Sequence, residues 1–295
     1  MSFAFDIKTE ILKNELPPCC RTAQGAALLL FGRVCSDRRL SLRTEHSGAA
    51  EAYAAAVRLF TGVEPPVEET ANGAFRVDVR DRLLTDAAAA ELGLAPGEPR
   101  RPFPAAVIAK RCCRTAFLGG AFLAAGTVTD PEKDYHLEFS CPEGLDPAEL
   151  SSLLTEFEYT PGTAERGAQR LVYLKNSEQI EDLLGRMGAA EGMMAFIQAK
   201  MRKDIRNAVN RKVNFERANI GRSMAASNRQ YEAICRIRDA VGLEALPDDL
   251  RVVAEARLEH REAGVSELSR LLPVPLTVSG LYHRFQRIIK LSEEL

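Results

Sequence analysis

Two pairs of adjacent cysteines carry the most reactive side chains of this sequence. Cys19–Cys20 and Cys112–Cys113 each open the stretch CCRTA, and the two copies lie 93 residues apart. Cysteine thiolates bind soft metal ions and exchange disulfides. Adjacent pairs lack the CxxC spacing of zinc knuckles, and a cytosolic chain keeps its thiols reduced. We therefore expect small apolar side chains at two helix starts; convergence of the four thiols is the less favoured alternative.

No other set of residues has the spacing of a catalytic site. The histidines His46, His136, His260 and His283 are scattered, without HExxH or HxH spacing. The chain has no GxxxxGK[ST] phosphate loop and no GxSxG nucleophile elbow. His136, in DYHLEF, is expected on a polar strand face. The sequence thus predicts no catalytic residue, no metal ligand, no cofactor and no enzyme activity.

A basic segment between residues 197 and 238 is the first candidate for contact with nucleic acid. It has eleven Lys and Arg against three acidic residues, a balance of +8 in a chain of formal net charge −2. A net-acidic chain binds DNA through a local patch. The candidate phosphate contacts are Lys200, Arg202, Lys203, Arg206, Arg211 and Lys212. A solvated helix face is the alternative.

Three helices follow in the C-terminal segment. DDLRVVAEARLEHRE has Asp248 as its expected N-cap, VSELSRLL is short, and TVSGLYHRFQRIIKLSEE starts after Thr277 as N-cap. The expected buried face of the third helix is Leu281, Phe285, Ile288 and Ile289. A short helix before a tight turn resembles a helix-turn-helix, whose third helix enters the major groove. The candidate DNA contacts are Ser279, Gly280, Tyr282, His283, Arg284 and Arg287. A plain three-helix packing module is the alternative.

The elements that position these residues are duplicated. After each CCRTA helix the chain reads roughly as α-β-(β or α)-β-α, with period-two alternation in FRVDVRD and YHLEF. Two copies favour a pseudo-twofold pair that shares one core. We place repeat one at about 1–95 and repeat two at about 112–205, together a domain 1–205. The Pro-rich strip 95–104 connects the copies. A basic helical linker, 206–245, and a helix-turn-helix domain, 246–295, complete the chain.

The N-terminus lacks the features of a signal peptide. Asp6 and Glu10 fall in its first dozen residues and no apolar core follows. The longest apolar run, Ala26 to Phe31, is far shorter than the roughly 20 residues that cross a bilayer. We expect a cytoplasmic protein that does not bind membranes.

The helix LGGAFLAAG, Leu118 to Gly126, resembles the LAGLIDADG helix of homing endonucleases. Leu118, Gly120, Ala124 and Gly126 match that pattern. In that family, two such helices meet at a pseudo-dyad, and the acid before the final glycine holds the divalent metals that cut DNA. Here that position is Ala125, and on the ungapped register it is Gly32 in the first copy. Neither side chain can ligate a hard cation, so we expect no metal-dependent cleavage.

Over almost its whole length the chain resembles the WhiA family. The resemblance lies in the opening SFAFDIKTEI–NEL with CCR, in FLGGAFLAAGTVTDPEKDYHLEF, in MRKDIRNAVNRKVNFERANIGRS and in VSGLYHRFQRI. It implies an α+β fold, in which a degenerate, duplicated αββαββα LAGLIDADG-like domain with pseudo-twofold symmetry precedes an all-α helix-turn-helix domain. One departure concerns the third helix, where Val278 and Tyr282 stand in place of a lysine and an asparagine common in the family.

The family resemblance also implies a function. Its members are bacterial DNA-binding transcriptional regulators of sporulation, chromosome segregation or cell division. We therefore expect a nucleoid-associated regulator that binds double-stranded DNA and is not a nuclease. Other transcription factors, sigma factor or RNA polymerase, and division proteins are further candidate partners. Two alternatives remain: a protein-interaction scaffold in cell division, and a residual LAGLIDADG-type endonuclease.

Overall fold

The chain divides into two compact units. The computed structural model describes residues 2–36, 38–94, 101–167 and 169–295. Unit 1 is Met1–Lys203 and unit 2 is Asp204–Leu295, and each has its own hydrophobic core. Most of the expected connector, residues 95–100, lies outside the described residues. No helix within the described ranges is both long and apolar enough to cross a membrane.

Unit 1 contains the same run of elements twice. Helix α1, Phe3–Leu12, comes first. The first copy consists of α2 Pro18–Leu30, β1 Val34–Ser36, β2 Arg39–Thr44, α3 Ser47–Thr61, β3 Glu68–Glu69, β4 Phe75–Val79 and α4 Arg82–Glu91. The second consists of α5 Arg111–Ala125, β5 Gly126–Val128, β6 Leu137–Cys141, α6 Pro147–Thr155, β7 Gly162–Arg166, β8 Gln169–Leu174 and α7 Ser177–Arg186. The duplicated αββαββα order expected from the resemblance is confirmed.

Both sheets are antiparallel and have the same strand order, β1-β2-β4-β3 and β5-β6-β8-β7. The central strands pair through buried apolar residues, which are Leu40–Val79 and Leu42–Val77 in the first sheet and Leu137–Leu174 and Phe139–Val172 in the second. Burial alternates with period two along β4 and β6, which is why the sequence revealed these strands. The edge strands β3 and β7 are mostly exposed and do not alternate, so they gave no such signal.

Helices α2 and α5 pack closely, and one glycine makes this possible. A Cβ on Gly120 would lie 2.2 Å from the carbonyl oxygen of Gln24 and 2.9 Å from Cβ of Ala27. Gly119, one residue earlier, has no such neighbour, because its Cβ would lie 3.8 Å from the nearest atoms. The small residues of LGGAFLAAG therefore act as expected, with Gly120 at the point of closest approach.

The described end of the connector ties the two copies together. Arg101 is buried and donates through Nη1 to the carbonyl oxygen of Leu30, 3.1 Å away, in the last turn of α2. Its backbone N–H donates to Gly144 in the second copy at 2.9 Å. The ring of Phe103 lies 4.7 Å from that of Phe117, centroid to centroid. This stretch thus caps the first helix while it contacts the second copy.

Unit 2 is helical throughout its regular structure. Helix α8, Ala190–Val241, begins in unit 1, and it is followed by a 3₁₀ helix, Leu243–Ala245, and by α9 Asp248–Glu259, α10 Val265–Leu271 and α11 Val278–Glu293. Residues 204–226 of α8 are exposed on every side. Further along, Ile234 and Ile237 are buried in the core of unit 2. The last part of the segment that sequence analysis assigns to a 206–245 linker is therefore part of this core.

Candidate nucleic-acid interface

Helix α11 separates a buried face from an exposed one. Leu281, Phe285 and Ile288 are fully buried against α9 and α10, while Ile289 is only half-buried. The hydroxyl of Thr277 accepts a hydrogen bond from the Gly280 N–H at 3.1 Å, so the expected N-cap is present. At α9 the expectation was wrong. The N-cap position is Pro247, whereas Asp248 lies inside the first turn and pairs with Arg251 at 2.5 Å.

The candidate base-contacting residues lie along the face of α11 opposite its buried one, from the first turn to Arg287. Ser279, Tyr282, His283 and Arg287 are exposed, and Arg284 and Gly280 are half-buried. The rings of Tyr282 and His283 are 6.3 Å apart and nearly perpendicular. A Cβ on Gly280 would lie 3.1 Å from Oγ1 of Thr277 and 3.5 Å from Nη1 of Arg284. Glycine at position 280 leaves room for the Thr277 cap and for the Arg284 side chain. The sequence did not reveal this reason for a glycine.

Both arginines of this face share one carboxylate. Asp249, in the first turn of α9, lies 3.6 Å from Nε of Arg284 and 3.3 Å from Nη1 of Arg287. The side chain of Arg287 is 59% exposed, so this pair is open to solvent and to phosphate. A surface ion pair is weak, and the carboxylate lowers the positive potential that the helix presents. Asp249 was not among the residues predicted for this surface.

A buried arginine holds the turn after α9. Arg257 is fully buried, and its Nη1 donates to the carbonyl oxygens of His260, Arg261 and Ala263 at 3.1, 3.3 and 2.6 Å. Its guanidinium lies 5.2 Å from the centre of the Phe285 ring, and burial lowers its pKa. The residue closes the C-terminus of α9 and fixes the turn that leads to α10. The pattern of residues around Arg257 does not indicate that this arginine is internal.

The six basic candidates on α8 fall into two groups. Three have partners within unit 1: Lys200 pairs with Glu181 at 3.0 Å, Arg202 with Glu132 at 2.8 Å, and the ammonium of Lys203 donates to the Lys133 carbonyl oxygen at 3.1 Å. The other three, Arg206, Arg211 and Lys212, are exposed in unit 2. Neither Arg211 nor Lys212 forms an ion pair with any residue that the structure describes. These two cations are the more available to phosphates.

The first sheet of unit 1 adds a basic surface that sequence analysis missed. Asp78 on β4 is contacted by Arg39 at 2.6 Å, by Arg80 at 3.2 Å and by Arg76. The hydrogen bond from Arg39 is the main reason that the pKa of Asp78 falls far below its usual range. Three cations thus surround one anion. The polar positions of FRVDVRD and RLSLRT were the available signal, since alternate residues share a face.

The positions of the lost acids have different surroundings in the two copies. Gly32 is buried just after Phe31, the C-cap of α2, and a Cβ there would lie 2.9 Å from both the Ser41 carbonyl oxygen and a ring carbon of Tyr53. Ala125 is the last residue of α5 and is half-buried. The first copy therefore lacks both the carboxylate and the space for one.

The two cysteine pairs meet at the starts of α2 and α5. The sulfur atoms of Cys19, Cys20, Cys112 and Cys113 all lie within 4.8 Å of one another, and the four thiols are free. Cys20 and Cys113 are buried, while Cys19 and Cys112 are exposed. Burial raises the pKa of Cys20 to about 12 and that of Cys113 to about 11, and a hydrogen bond with Cys113 lowers that of Cys19. Convergence, the less favoured alternative, is what the structure shows.

Known proteins match both units. The WhiA LAGLIDADG-like domain matches residues 114–206 and the WhiA C-terminal HTH domain matches residues 209–292. "Probable cell division protein WhiA" from Desulfitobacterium hafniense is 34% identical, over 100% of this chain and 96% of that protein. The protein of the same name from Bacillus velezensis is 32% identical, over 100% and 97%.

A solved structure has the same fold. Full-length DUF199/WhiA from Thermatoga maritima has a TM-score of 0.56 at 24% identity, with 100% of this chain and 99% of that one covered. Fold and site together define a protein with a duplicated LAGLIDADG-like domain and a helix-turn-helix domain. The full-length similarity to curated relatives then makes the assignment specific: the chain belongs to the WhiA family.

Proposed function

We propose that the protein is a sequence-specific, DNA-binding transcriptional regulator without nuclease activity. The observation that carries this proposal is the exposed face of α11, where Ser279, Tyr282, His283 and Arg287 project from a helix whose opposite face is buried. Hydroxyl, imidazole and guanidinium groups hydrogen-bond to base edges in the major groove. A helix fixed on a packed core presents them in a constant geometry.

Backbone phosphates supply the second part of the proposed interaction. Arg211 and Lys212 are exposed on α8 and form no ion pair with a described residue. Phosphate contacts contribute affinity without sequence preference, whereas base contacts supply the preference. The formal net charge of −2 makes such local cations necessary. The basic surface of the first sheet, around Asp78, supports a further weak contact of unit 1 with DNA.

The biological role that we propose follows from the relatives, which carry the name cell division protein. The protein would control genes of cell division, chromosome segregation or sporulation from the nucleoid. Loss of both acid positions, Gly32 and Ala125, supports regulation instead of cleavage, because metal-dependent hydrolysis of DNA requires carboxylates at the metal centre.

A protein partner is a second candidate, favoured by exposed apolar side chains on α8. Ile205, Val209, Ile220 and Met224 are each at least 54% exposed. Exposed apolar residues in such a row are typical of protein interaction surfaces. This would make the same helix a contact for another transcription factor, for RNA polymerase or for a division protein.

The test is selection of genomic fragments by the purified full chain, followed by a titration of the selected duplex against a scrambled one. We expect tighter binding of the selected duplex. Tyr282→Ala and His283→Ala should each reduce that preference by about tenfold, since a base contact is worth about 1–3 kcal/mol. Arg82→Ala, an exposed arginine on α4, is the matched control and should leave it unchanged. Equal affinity of the wild-type chain for both duplexes would contradict the proposal.

A further inference from the structure

The strongest unassigned feature is the cluster of four sulfur atoms at the pseudo-dyad. Each copy supplies an equivalent pair from the first turn of its long helix, Cys19 and Cys20 from α2 and Cys112 and Cys113 from α5. Adjacent residues on a helix point about 100° apart. Each pair therefore contributes one buried and one solvent-exposed sulfur to the cluster. Close packing at Gly120 against Gln24, one turn from Cys20, brings the two helix starts together.

The spacing of the sulfur atoms suits a single tetrahedral ion. A zinc–sulfur bond of about 2.3 Å in a tetrahedron places the sulfurs about 3.8 Å apart. The sulfurs of Cys112 and Cys113 are 4.0 Å apart, and no pair in the cluster exceeds 4.8 Å. Small rotations of the side chains close this difference. A multi-iron cluster would need its ligands further apart, and hard cations prefer oxygen ligands.

The two helix starts supply positive charge that would offset the thiolates of a bound ion. Neither α2 nor α5 has a side chain that caps its N-terminus, as the N-cap positions are Pro17 and Lys110. The amide N–H groups of both first turns are therefore open to negatively charged sulfur, which the positive ends of helix dipoles stabilise. Lys110, the N-cap residue of α5, adds positive charge beside Cys19. Four thiolates around a divalent ion carry a net charge of −2, which these groups offset.

We propose that Cys19, Cys20, Cys112 and Cys113 bind one Zn²⁺ that fastens the two copies of unit 1 together. Each thiol gives its proton to solvent as it binds, and no electron is transferred. At the helix starts the ion would link α2 to α5. Along the rest of their length these two helices are held together by apolar packing. The site needs neither DNA nor the helix-turn-helix unit.

The primary test is the metal content of the full chain. The protein is purified under reducing conditions, reconstituted with Zn²⁺ and desalted, and its metals are measured by plasma mass spectrometry together with a thiol titration. We expect one Zn²⁺ per chain. Replacement by Co²⁺ should give the charge-transfer and visible bands of a tetrahedral tetrathiolate. Absence of bound zinc while all seven thiols titrate as free would overturn the proposal.

Variants locate the ion. Cys19→Ser with Cys112→Ser changes the two exposed thiols, so the fold should persist; zinc binding should fall at least tenfold and the cobalt bands should disappear. Cys235→Ser, a half-buried cysteine of unit 2, is the matched control and should keep the full zinc content. A chelator should lower the melting temperature of the wild type and of this control, but not of the double variant. Iron in place of zinc, a disulfide within the cluster of the reduced preparation, or full zinc content in the double variant would each reject the site.

Discussion

At the scale of single residues, the charge near α11 is set by a side chain outside that helix. Asp249 lies within 3.6 Å of both Arg284 and Arg287. Among the described residues, its neighbour Asp248 forms an ion pair with Arg251 and with neither Arg284 nor Arg287. Two adjacent carboxylates therefore have different effects on the proposed DNA surface. This gives a matched pair of substitutions.

Asp249→Asn should tighten binding to duplex DNA. Removal of one negative charge frees two guanidiniums for phosphates, which is worth on the order of 1 kcal/mol, or about fivefold in affinity. The slope of log K against log salt should steepen by about 1–2, as each phosphate contact contributes about 0.9. Fluorescence anisotropy at several salt concentrations measures both. Asp248→Asn should change neither; an equal effect of the two substitutions would rule out a special role of Asp249.

Lys8 gives a prediction about pH. It is half-buried on α1, 5.8 Å from the centre of the Phe122 ring, and burial lowers its pKa to about 8 from the usual 10.5. The unfolded chain thus binds more protons between these two values, and the free energy of unfolding should rise with pH across that window. Below about pH 8 the full cost of the buried ammonium applies.

Lys8→Met should therefore stabilise the protein by about 2–3 kcal/mol at pH 7, since one pKa unit corresponds to about 1.4 kcal/mol. The difference from the wild type should shrink towards pH 10.5. Urea unfolding at several pH values is the measurement. Lys13→Met, at an exposed position just after α1, serves as control and should show no such trend. A constant difference across pH would contradict the assignment to a buried ammonium.

At the scale of elements, the pairing of α2 with α5 depends on the absence of one side chain. A Cβ on Gly120 would overlap the Gln24 carbonyl oxygen, whereas a Cβ on Gly119 would lie at an ordinary van der Waals distance of 3.8 Å from its nearest neighbours. Both residues lie in the middle of α5, where alanine favours the helix over glycine by about 1 kcal/mol. At Gly120, helix propensity favours alanine but tertiary packing excludes it. At Gly119, tertiary packing does not oppose alanine.

Gly120→Ala should destabilise unit 1 by about 2–4 kcal/mol, because the added methyl group meets backbone and the helices must separate. Gly119→Ala should be neutral, or stabilising by up to about 1 kcal/mol. Chemical denaturation followed by circular dichroism distinguishes the two. If both variants had the same stability, the close approach of α2 and α5 at Gly120 would be refuted.

At the scale of the whole molecule, the net charge of −2 conceals a local concentration of cations on α8. In the sequence alone, its basic residues form one set. The structure instead ties Lys200 and Arg202 to Glu181 and Glu132, and leaves Arg211 and Lys212 exposed. Only cations without a local partner release counterions freely upon binding DNA. The two subsets should therefore behave differently.

Arg211→Ala with Lys212→Ala should flatten the salt slope of DNA binding by about 1.8, at about 0.9 per phosphate contact. Lys200→Ala with Arg202→Ala should leave that slope nearly unchanged. Gel-shift titrations from low to moderate salt provide the comparison. A larger loss from the second pair would restore the first half of the basic segment as the main phosphate contact.

The sequence by itself determined what depends on local pattern. Period-two alternation identified the central strands, helical periodicity identified the buried face of α11, and the repeat at an offset of 93 identified the duplication. It also showed that both acid positions, Gly32 and Ala125, had lost their carboxylates. The edge strands β3 and β7 were not predicted, because their residues are exposed on both faces and show no alternation of apolar and polar types.

Tertiary structure decided what depends on distance across the chain. Cys19 and Cys112 are far apart in sequence, and only the packing of α2 on α5 places their sulfurs within 4.8 Å. The partner of Arg287, the interior position of Arg257 and the lack of space at Gly32 are likewise contacts between separate elements. Local pattern records which face of an element is apolar, but not which atoms another element brings to it. That is the physical reason why the sequence predicted the fold more fully than its sites.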